Sequence, residues 1–489
     1  MRTRFAPSPT GLLHIGGVRT ALYCYLLARK SGGTFFLRIE DTDRAREVPG
    51  ATENIVRTLA WAGIPPDEGV TLDENGECTQ KGTHGPYYQS QRLSLYAPYV
   101  EHLKEHNHAY PCFCTPARLE EMRTAQAAAR QAPMYDRRCL AIPHHEAQSR
   151  IAAGEPHVIR MKVPRDRTVT FVDDIHGDVS FMGHTIDDQV LLKSDGFPTY
   201  HLAHVVDDHL MKTDIVIRGE EWLSSLPKHI ILFEMLGFPI PRFAHLPLLL
   251  NHDRTKLSKR QNDVSASHYA DQGYLPEAVV NFLALLGWNP GTEQELFTLP
   301  ELIEHFSLDR VQKAGAVFDR EKLHWLQGQW MRKIPVESFA ERIRPLVAAA
   351  HPLAVDDETF LQKASLIQER ITLFSEAPEM LSYFYHEPEV SLELVIREKQ
   401  HVTKESVPRI IALLEATLEA IDVQEWHQDV IANALLAAAQ SAELKKGQVL
   451  WPLRAILTGR EYSPGAFEVA AVLGKETTMA RVRRAKAMC

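Results

Sequence analysis

Short apolar runs alternate with amphipathic stretches along the first third of the chain. Thr3–Phe5 predicts a short strand that runs into the Pro/Gly turn Pro7-Ser-Pro-Thr-Gly11. Between Val18 and Lys30, residues Val18, Leu22, Tyr25, Leu26 and Arg29 recur on common faces, which predicts a helix that Gly32-Gly33 ends. Thr34–Ile39 reads as a second strand, with Glu40-Asp-Thr-Asp43 at its carboxyl end, and 51–61 as a second helix. This β-α-β-α order predicts a parallel sheet. Residues 75–84 are polar, a loop. Beyond them the pattern turns irregular, with a helix over Leu93–His106 and strand candidates at Val158–Val163 and Val169–Val172, and reads as an inserted domain. The α/β pattern resumes near Thr199. A strand-like approach covers 198–200, followed by a strand at Asp214–Ile217, a helix over Leu223–Leu236 and a strand at His245–Leu250. After Ser265 strand alternation fades. Residues 276–286, 361–374, 407–421 and 430–444 predict helices, the third with Ile410, Ile411, Leu414 and Leu418 on one face.

The fold class expected is therefore α/β plus all-α: a Rossmann-like parallel-sheet domain with an α+β insertion, followed by helical domains. The boundaries read as 1–80 with 194–264, 81–193, 265–335 and 336–489. A length of 489 residues suits two to four domains. With 45% hydrophobic and 24% charged residues, the chain has the balance of a soluble globular protein. No run reaches the ~18 apolar residues of a membrane helix. The N-terminus carries no long apolar stretch of a secretory leader, so a cytoplasmic location is the expectation. Six cysteines are too few for a disulfide framework. A formal charge of −9 means that a nucleic-acid partner would need local basic patches.

In an open parallel sheet, ligands bind at the carboxyl ends of the strands. The residues predicted there are Arg4 and Ser8, Glu40, Tyr200 with the following 201–208, Arg218 to Glu221, and the segment 251–260. Cations and carboxylates from distant segments thus reach one rim. His14-Ile-Gly-Gly17 lies where a strand gives way to a helix. Gly16 and Gly17 let a ligand approach the backbone, and the helix N-terminus offers amides to a phosphate. Lys256-Leu257-Ser258-Lys259-Arg260 supplies two lysines suited to a triphosphate.

Taken together, Phe5 to Gly17, Arg38-Ile-Glu-Asp-Thr-Asp43, Arg218-Gly-Glu-Glu-Trp222 and Lys256 to Arg260 closely resemble the class I aminoacyl-tRNA synthetases, and within them the bacterial-type glutamyl branch. His14-Ile-Gly-Gly17 lacks the second histidine of the class motif. In the lysine motif, Leu257 stands for Met and Arg260 for the final Ser. The resemblance spans essentially the whole chain, with 451–460 and 463–468 similar to the anticodon-binding region.

The resemblance implies a reaction in which ATP and Mg²⁺ activate L-glutamate to its adenylate, and tRNA-Glu then takes the glutamyl group, with AMP and diphosphate released. Bound tRNA is expected to be required for activation, and the enzyme is expected to be a monomer. It assigns ATP to His14, Gly16, Gly17, Glu221, Lys256, Leu257, Ser258, Lys259 and Arg260, with His14, Lys256 and Lys259 stabilising charge in the transition state. It assigns glutamate to Arg4, Ser8, Glu40, Tyr200, His204 and Arg218. At His204 the family pattern has asparagine. It also implies that 81–193 is acceptor-binding, 265–335 contacts the tRNA stem and 336–489 binds the anticodon.

Cys112, Cys114 and Cys139 lie in the insertion and suggest a structural Zn²⁺ site, which prefers four ligands. Some relatives place a fourth ligand two residues beyond the third cysteine, where this chain has Ala141. Tyr135, His144 or His145 are the alternatives, and three reduced, buried thiols are the other reading. The basic groups that tRNA would need are Arg481 to Lys486 and Arg118, Arg137 and Arg138. Trp426 and Trp451 suit either base stacking or core packing. A glutaminyl relative would carry β-barrel anticodon domains, which the helical C-terminal half opposes.

Overall fold

The structure is a computed structural model and describes residues 1–257 and 265–488. It divides into two compact units, 1–271 with 276–323 and 272–275 with 324–489.

The first unit is built on an eight-stranded sheet in the order Cys78–Lys81, Glu68–Leu72, Thr34–Leu37, Arg2–Phe5, Ile215–Gly219, Arg242–Leu246, Thr168–Asp173, Gly177–Met182. All neighbours are parallel except the outermost pair at each edge. The central strands are apolar on both faces, as helices packed on a parallel sheet require. Phe35, Phe36, Leu37, Ile215 and Val216 are fully buried. From Arg2–Phe5 the chain winds to one side through Thr34–Leu37. It returns on the other side at Ile215–Gly219. The crevice beyond Phe5 and Gly219 is therefore the switch point at which such sheets bind ligands.

Several elements differ from their sequence reading, each for a local reason. The first helix starts at Ile15, because His14 takes the N-cap and its ring accepts the Gly17 amide. Residues 198–200 are no strand. Thr199 precedes a helix, Tyr200–Leu210, whose buried face carries His204, Asp207 and Asp208. The strand read as His245–Leu250 is two, Arg242–Leu246 and Leu249–Leu250. Pro247 lacks the amide a ladder needs, and the Leu248 amide goes instead to the Glu220 carboxylate at 3.0 Å. The hairpin 168–182, read as part of the insertion, joins the edge of the large sheet. A separate three-stranded sheet contains Ala109–Cys112, Val158–Met161 and Val190–Leu192.

The regular elements described in the second unit are helices. Val407–Glu419 buries Ile410, Ile411, Leu414 and Leu418 on the face the sequence pattern marks, against Gln428–Ser441, Lys446–Thr458 and the last helix. The helix read over 361–374 stops at Ile367. The Glu376 carboxylate takes the amides of Thr372 and Leu373, which starts a new turn. No described helix is long and apolar enough to cross a membrane.

Candidate functional site

Two adjoining cavities open at the carboxyl ends of the central strands and share Thr20 and Gly219 on their walls. The first, about 700 Å³, is lined by Arg4, Ser8, Glu40, Tyr200, Arg218 and Trp222 among others. Its two buried arginines are held on opposite terms. Arg4 donates from Nε and Nη2 to the Asp208 carboxylate at 3.1 and 3.3 Å. Asp208 also takes Arg38 at 2.8 Å, and Arg38 reaches Glu40 at 3.2 Å, so this group of two cations and two anions is balanced. Burial pushes the Glu40 carboxyl up against the pull of Arg38 and Arg4. Arg218 has no carboxylate partner among the described residues. Its Nε donates to His245 Nε2 at 3.0 Å, Nη1 to the Tyr200 hydroxyl at 2.8 Å and Nη2 to His229 Nδ1 at 3.3 Å. Burial lowers the surrounding imidazoles, His201 and His204 to about 3 and His229 and His245 also downward, so they are neutral near pH 7. The positive charge next to Tyr200 is therefore the guanidinium's own. A cavity with an open arginine, a second arginine beside it and a buried carboxylate complements an amino acid with two carboxylates and an ammonium.

The second cavity, about 360 Å³, is lined by His14, Gly16, Gly17, Arg19, Glu221, Lys256 and Leu257 among others. The helix Ile15–Lys30 opens onto it with no acidic residue in its first turn, leaving the positive end of the helix for an anion. The glycines leave room for the side chains around them. A Cβ on Gly17 would stand 2.6 Å from Leu13 Cδ1, and one on Gly16 would crowd the His14 ring at 3.0 Å. Lys256 and Leu257 are brought over the cavity by a hairpin in which Leu257 donates to the Leu249 carbonyl at 2.9 Å, with Arg254 at φ +64° in its turn. Ser258, Lys259 and Arg260 lie outside the described residues.

This arrangement can be set beside known proteins. Residues 1–325 match the model of the catalytic domain of class I tRNA synthetases (E and Q), and 338–486 that of an anticodon binding domain. A glutamate–tRNA ligase of Chlorobium luteolum is 44% identical over 99% of this chain and 97% of its own length. One from Clostridioides difficile is 43% identical over 99% of each. The chain belongs to the glutamate–tRNA ligase family of class I synthetases. Among solved structures, a glutamate tRNA ligase from Elizabethkingia meningosepticum, described as in complex with its amino acid, superposes with TM-score 0.89 at 37% identity, covering 100% of this chain and 99% of that one.

Measured against the family pattern, the structure gathers most of the predicted residues. Five of the six read as amino-acid contacts line the first cavity. His204 does not: it is fully buried behind Tyr200, stacked on it at 5.3 Å, with Nδ1 2.9 Å from Asp208 and Nε2 unpartnered. The three thiols lie within 4.8 Å of one another. Of the proposed fourth groups, the structure brings only Tyr135. Its hydroxyl is 3.4 Å from Cys112 Sγ, 3.3 Å from Cys114 Sγ and 3.0 Å from the Cys139 amide. His144 faces Gln148 instead. Tyr135, four residues before Cys139, reaches the group from the irregular segment that precedes the short 3-10 helix Arg138–Ala141.

The two basic groups read for tRNA are largely spent internally. Arg481 is buried and donates to the carbonyls of Leu457 and Tyr383. Arg483, Arg484 and Lys486 pair with Glu419, Glu387 and Glu415. Arg118 and Arg137 pair with Asp136 and Asp188, while Arg138 stays exposed. Trp426 and Trp451 are anchored by their indole N–H groups to the Ala470 and Leu394 carbonyls, and Arg397 and Arg454 stack on Trp451 at 4.6 and 4.7 Å. Burial, with the nearby charges of Arg370 and Arg397, lowers the Arg454 guanidinium. This arginine group escapes a sequence reading because its members are dispersed over 370–454. Asp173, His229 and His245 were not read as site residues, because they stand behind the cavity wall: His229 and His245 bond to Arg218, and Asp173 to His245.

Proposed function

We infer that the protein ligates L-glutamate to tRNA-Glu through a glutamyl-adenylate. The carrying observation is the pair of adjoining cavities, one charged for an amino dicarboxylate and one built on a helix N-terminus and a lysine. In the first step an oxygen of the glutamate α-carboxylate attacks the α-phosphorus of ATP and diphosphate departs. In the second a terminal ribose hydroxyl of tRNA attacks the acyl carbon and AMP departs. The attacking carboxylate is the substrate's own, so the protein supplies position and charge. In this reading Arg4 and Arg218 receive the two carboxylates, Glu40 the ammonium, and Ser8 and Tyr200 complete the wall. His204 acts at one remove, by bracing Tyr200 and Asp208. His14, Gly16, Gly17 and the helix behind them hold phosphates. Lys256 and Lys259 meet the charge that builds on the α-phosphate, with Leu257, Ser258 and Arg260 framing them.

Magnesium fits as a partner of ATP. Glu221 is the carboxylate on the second cavity, and Mg²⁺ is usually held by one or two carboxylates with phosphates and water. When bound it screens phosphate charge. Zinc fits the thiol group: Cys112, Cys114, Cys139 and the Tyr135 hydroxyl supply four donors, and the ion would tie the strand Ala109–Cys112 to the segment 135–139. We further propose that 81–193 takes the acceptor end, 265–335 the stem and 336–489 the anticodon, that the arginines around Trp451 face tRNA, and that the enzyme works as a cytoplasmic monomer.

Amino-acid-dependent ATP–pyrophosphate exchange, run with tRNA present, tests the reading. Glutamate should support exchange and glutamine should not at equal concentration. Equal exchange with both would remove the charge argument.

A further inference from the structure

Arg218, His245 and Asp173 form a row across three neighbouring parallel strands. Arg218 and His245 are register partners on Ile215–Gly219 and Arg242–Leu246, so their side chains leave the same face. Asp173 ends the next strand, which pairs with Arg242–Leu246 at Phe243. His245 Nδ1 lies 2.6 Å from Asp173 Oδ2, and His245 Nε2 takes the Arg218 Nε proton at 3.0 Å. An imidazole that accepts at Nε2 must carry its proton at Nδ1, so the tautomer is fixed: it donates to Asp173 and accepts from Arg218. Asp173 is itself pinned, since its Oδ1 takes the amides of Ile175 and His176 at 3.0 Å each. His245 and Asp173 side chains are fully buried.

A row of buried polar groups is costly where apolar side chains would pack, so its retention calls for a gain elsewhere. The contrast with Arg4 shows what the gain is. Asp208 sits directly on Arg4 and competes for the atoms a carboxylate ligand would use. Asp173 is held one imidazole away from Arg218. Its charge offsets the buried cation without occupying the guanidinium. We propose that Asp173 and His245 are positioning residues that hold Arg218 oriented and open to a substrate carboxylate. This rests on the reading of Arg218 as a carboxylate receptor in the glutamate cavity.

The test is a double-mutant cycle read as separate KM values for glutamate and ATP and as kcat, in exchange with saturating tRNA. Arg218→Gln comes first, because without a rise in glutamate KM the receptor reading falls and takes the relay with it. Asp173→Asn and His245→Leu should each raise the glutamate KM about tenfold or more, since a small misplacement of a positioning group costs ten- to a hundredfold. The ATP KM should move less than twofold. His245→Gln, which keeps one acceptor and one donor, should recover most of the loss. On the Arg218→Gln background, Asp173→Asn should add nothing. Asp173→Asn is nearly isosteric and carries the test if His245→Leu fails to fold. The proposal is overturned if Asp173→Asn leaves the glutamate KM unchanged, if both KM values rise together, if His245→Gln is as impaired as His245→Leu, or if the effects of Asp173→Asn and Arg218→Gln simply add.

Discussion

Arg4 reaches the amino-acid cavity already paired with Asp208, whereas Arg218 reaches it among neutral rings. Glutamine and glutamate are nearly isosteric, so only charge can separate them. An amide NH₂ offers donors to a guanidinium that has only donors. A desolvated charge left without its partner costs on the order of 3–5 kcal/mol, a discrimination of ~10² or more. Arg4→Gln and Arg218→Gln should both lower kcat/KM for glutamate, but only the partner of the γ-carboxylate should narrow the glutamate/glutamine ratio. An unchanged ratio in both would move selectivity to Tyr200 and its neighbours. Lys259→Ala should lower kcat for activation by ~10²-fold or more with little change in ATP KM, because a contact made to developing charge acts on the transition state. Near-normal kcat would remove Lys259 from that role. Arg4, Glu40, Arg218, Gly16 and Gly17 were legible in sequence because strand ends and glycine turns announce them, whereas Gln89 and Lys193, which also line the first cavity, carry no such signal. Residues one layer deeper, such as Asp173 and His245, were not legible, because nothing in sequence links a hairpin near 170 to a strand near 245.

At the scale of elements, the first helix and the hairpin 249–257 do the positioning. Their sequence signals, a glycine pair and a lysine run, were readable. The break at Pro247 was not read, because the run of leucines hides it and His245–Leu250 looks like one strand. The helix Tyr200–Leu210 was harder: Pro198 and Thr199 resemble a strand approach only until the buried face of His204, Asp207 and Asp208 is seen. In the thiol group, metal analysis of protein purified without chelator should give about one equivalent of zinc. Cys112→Ser should lose it, and Tyr135→Phe should release it faster to a chelator, because ligand loss lowers affinity. Fully active, metal-free protein would favour three buried thiols instead.

Over the whole molecule, the parallel sheet and the helical C-terminal unit followed from periodicity alone, while the strand order, and with it the place of the hairpin 168–182, did not. The buried imidazoles also set a property of the full chain. His201 and His204 titrate near 3 when folded, against an ordinary value of 6.5. Between these values the unfolded chain binds more protons, so stability falls as pH falls from 6.5 toward 3. Each such histidine costs about 2 kcal/mol by pH 5. Glu40, raised by burial, acts in the opposite sense. Calorimetry at pH 7 and pH 5 should show a lower apparent Tm at pH 5, and His204→Asn should lessen that drop. A Tm independent of pH over this range, or an undiminished drop in the variant, would contradict the burial argument. The central claim is tested most directly by charging: purified protein, ATP, Mg²⁺, labelled glutamate and purified tRNA-Glu. The account predicts alkali-labile glutamyl-tRNA formed only with ATP, and abolished by Arg218→Gln at ordinary glutamate concentrations. Label that fails to join tRNA-Glu under these conditions would contradict it.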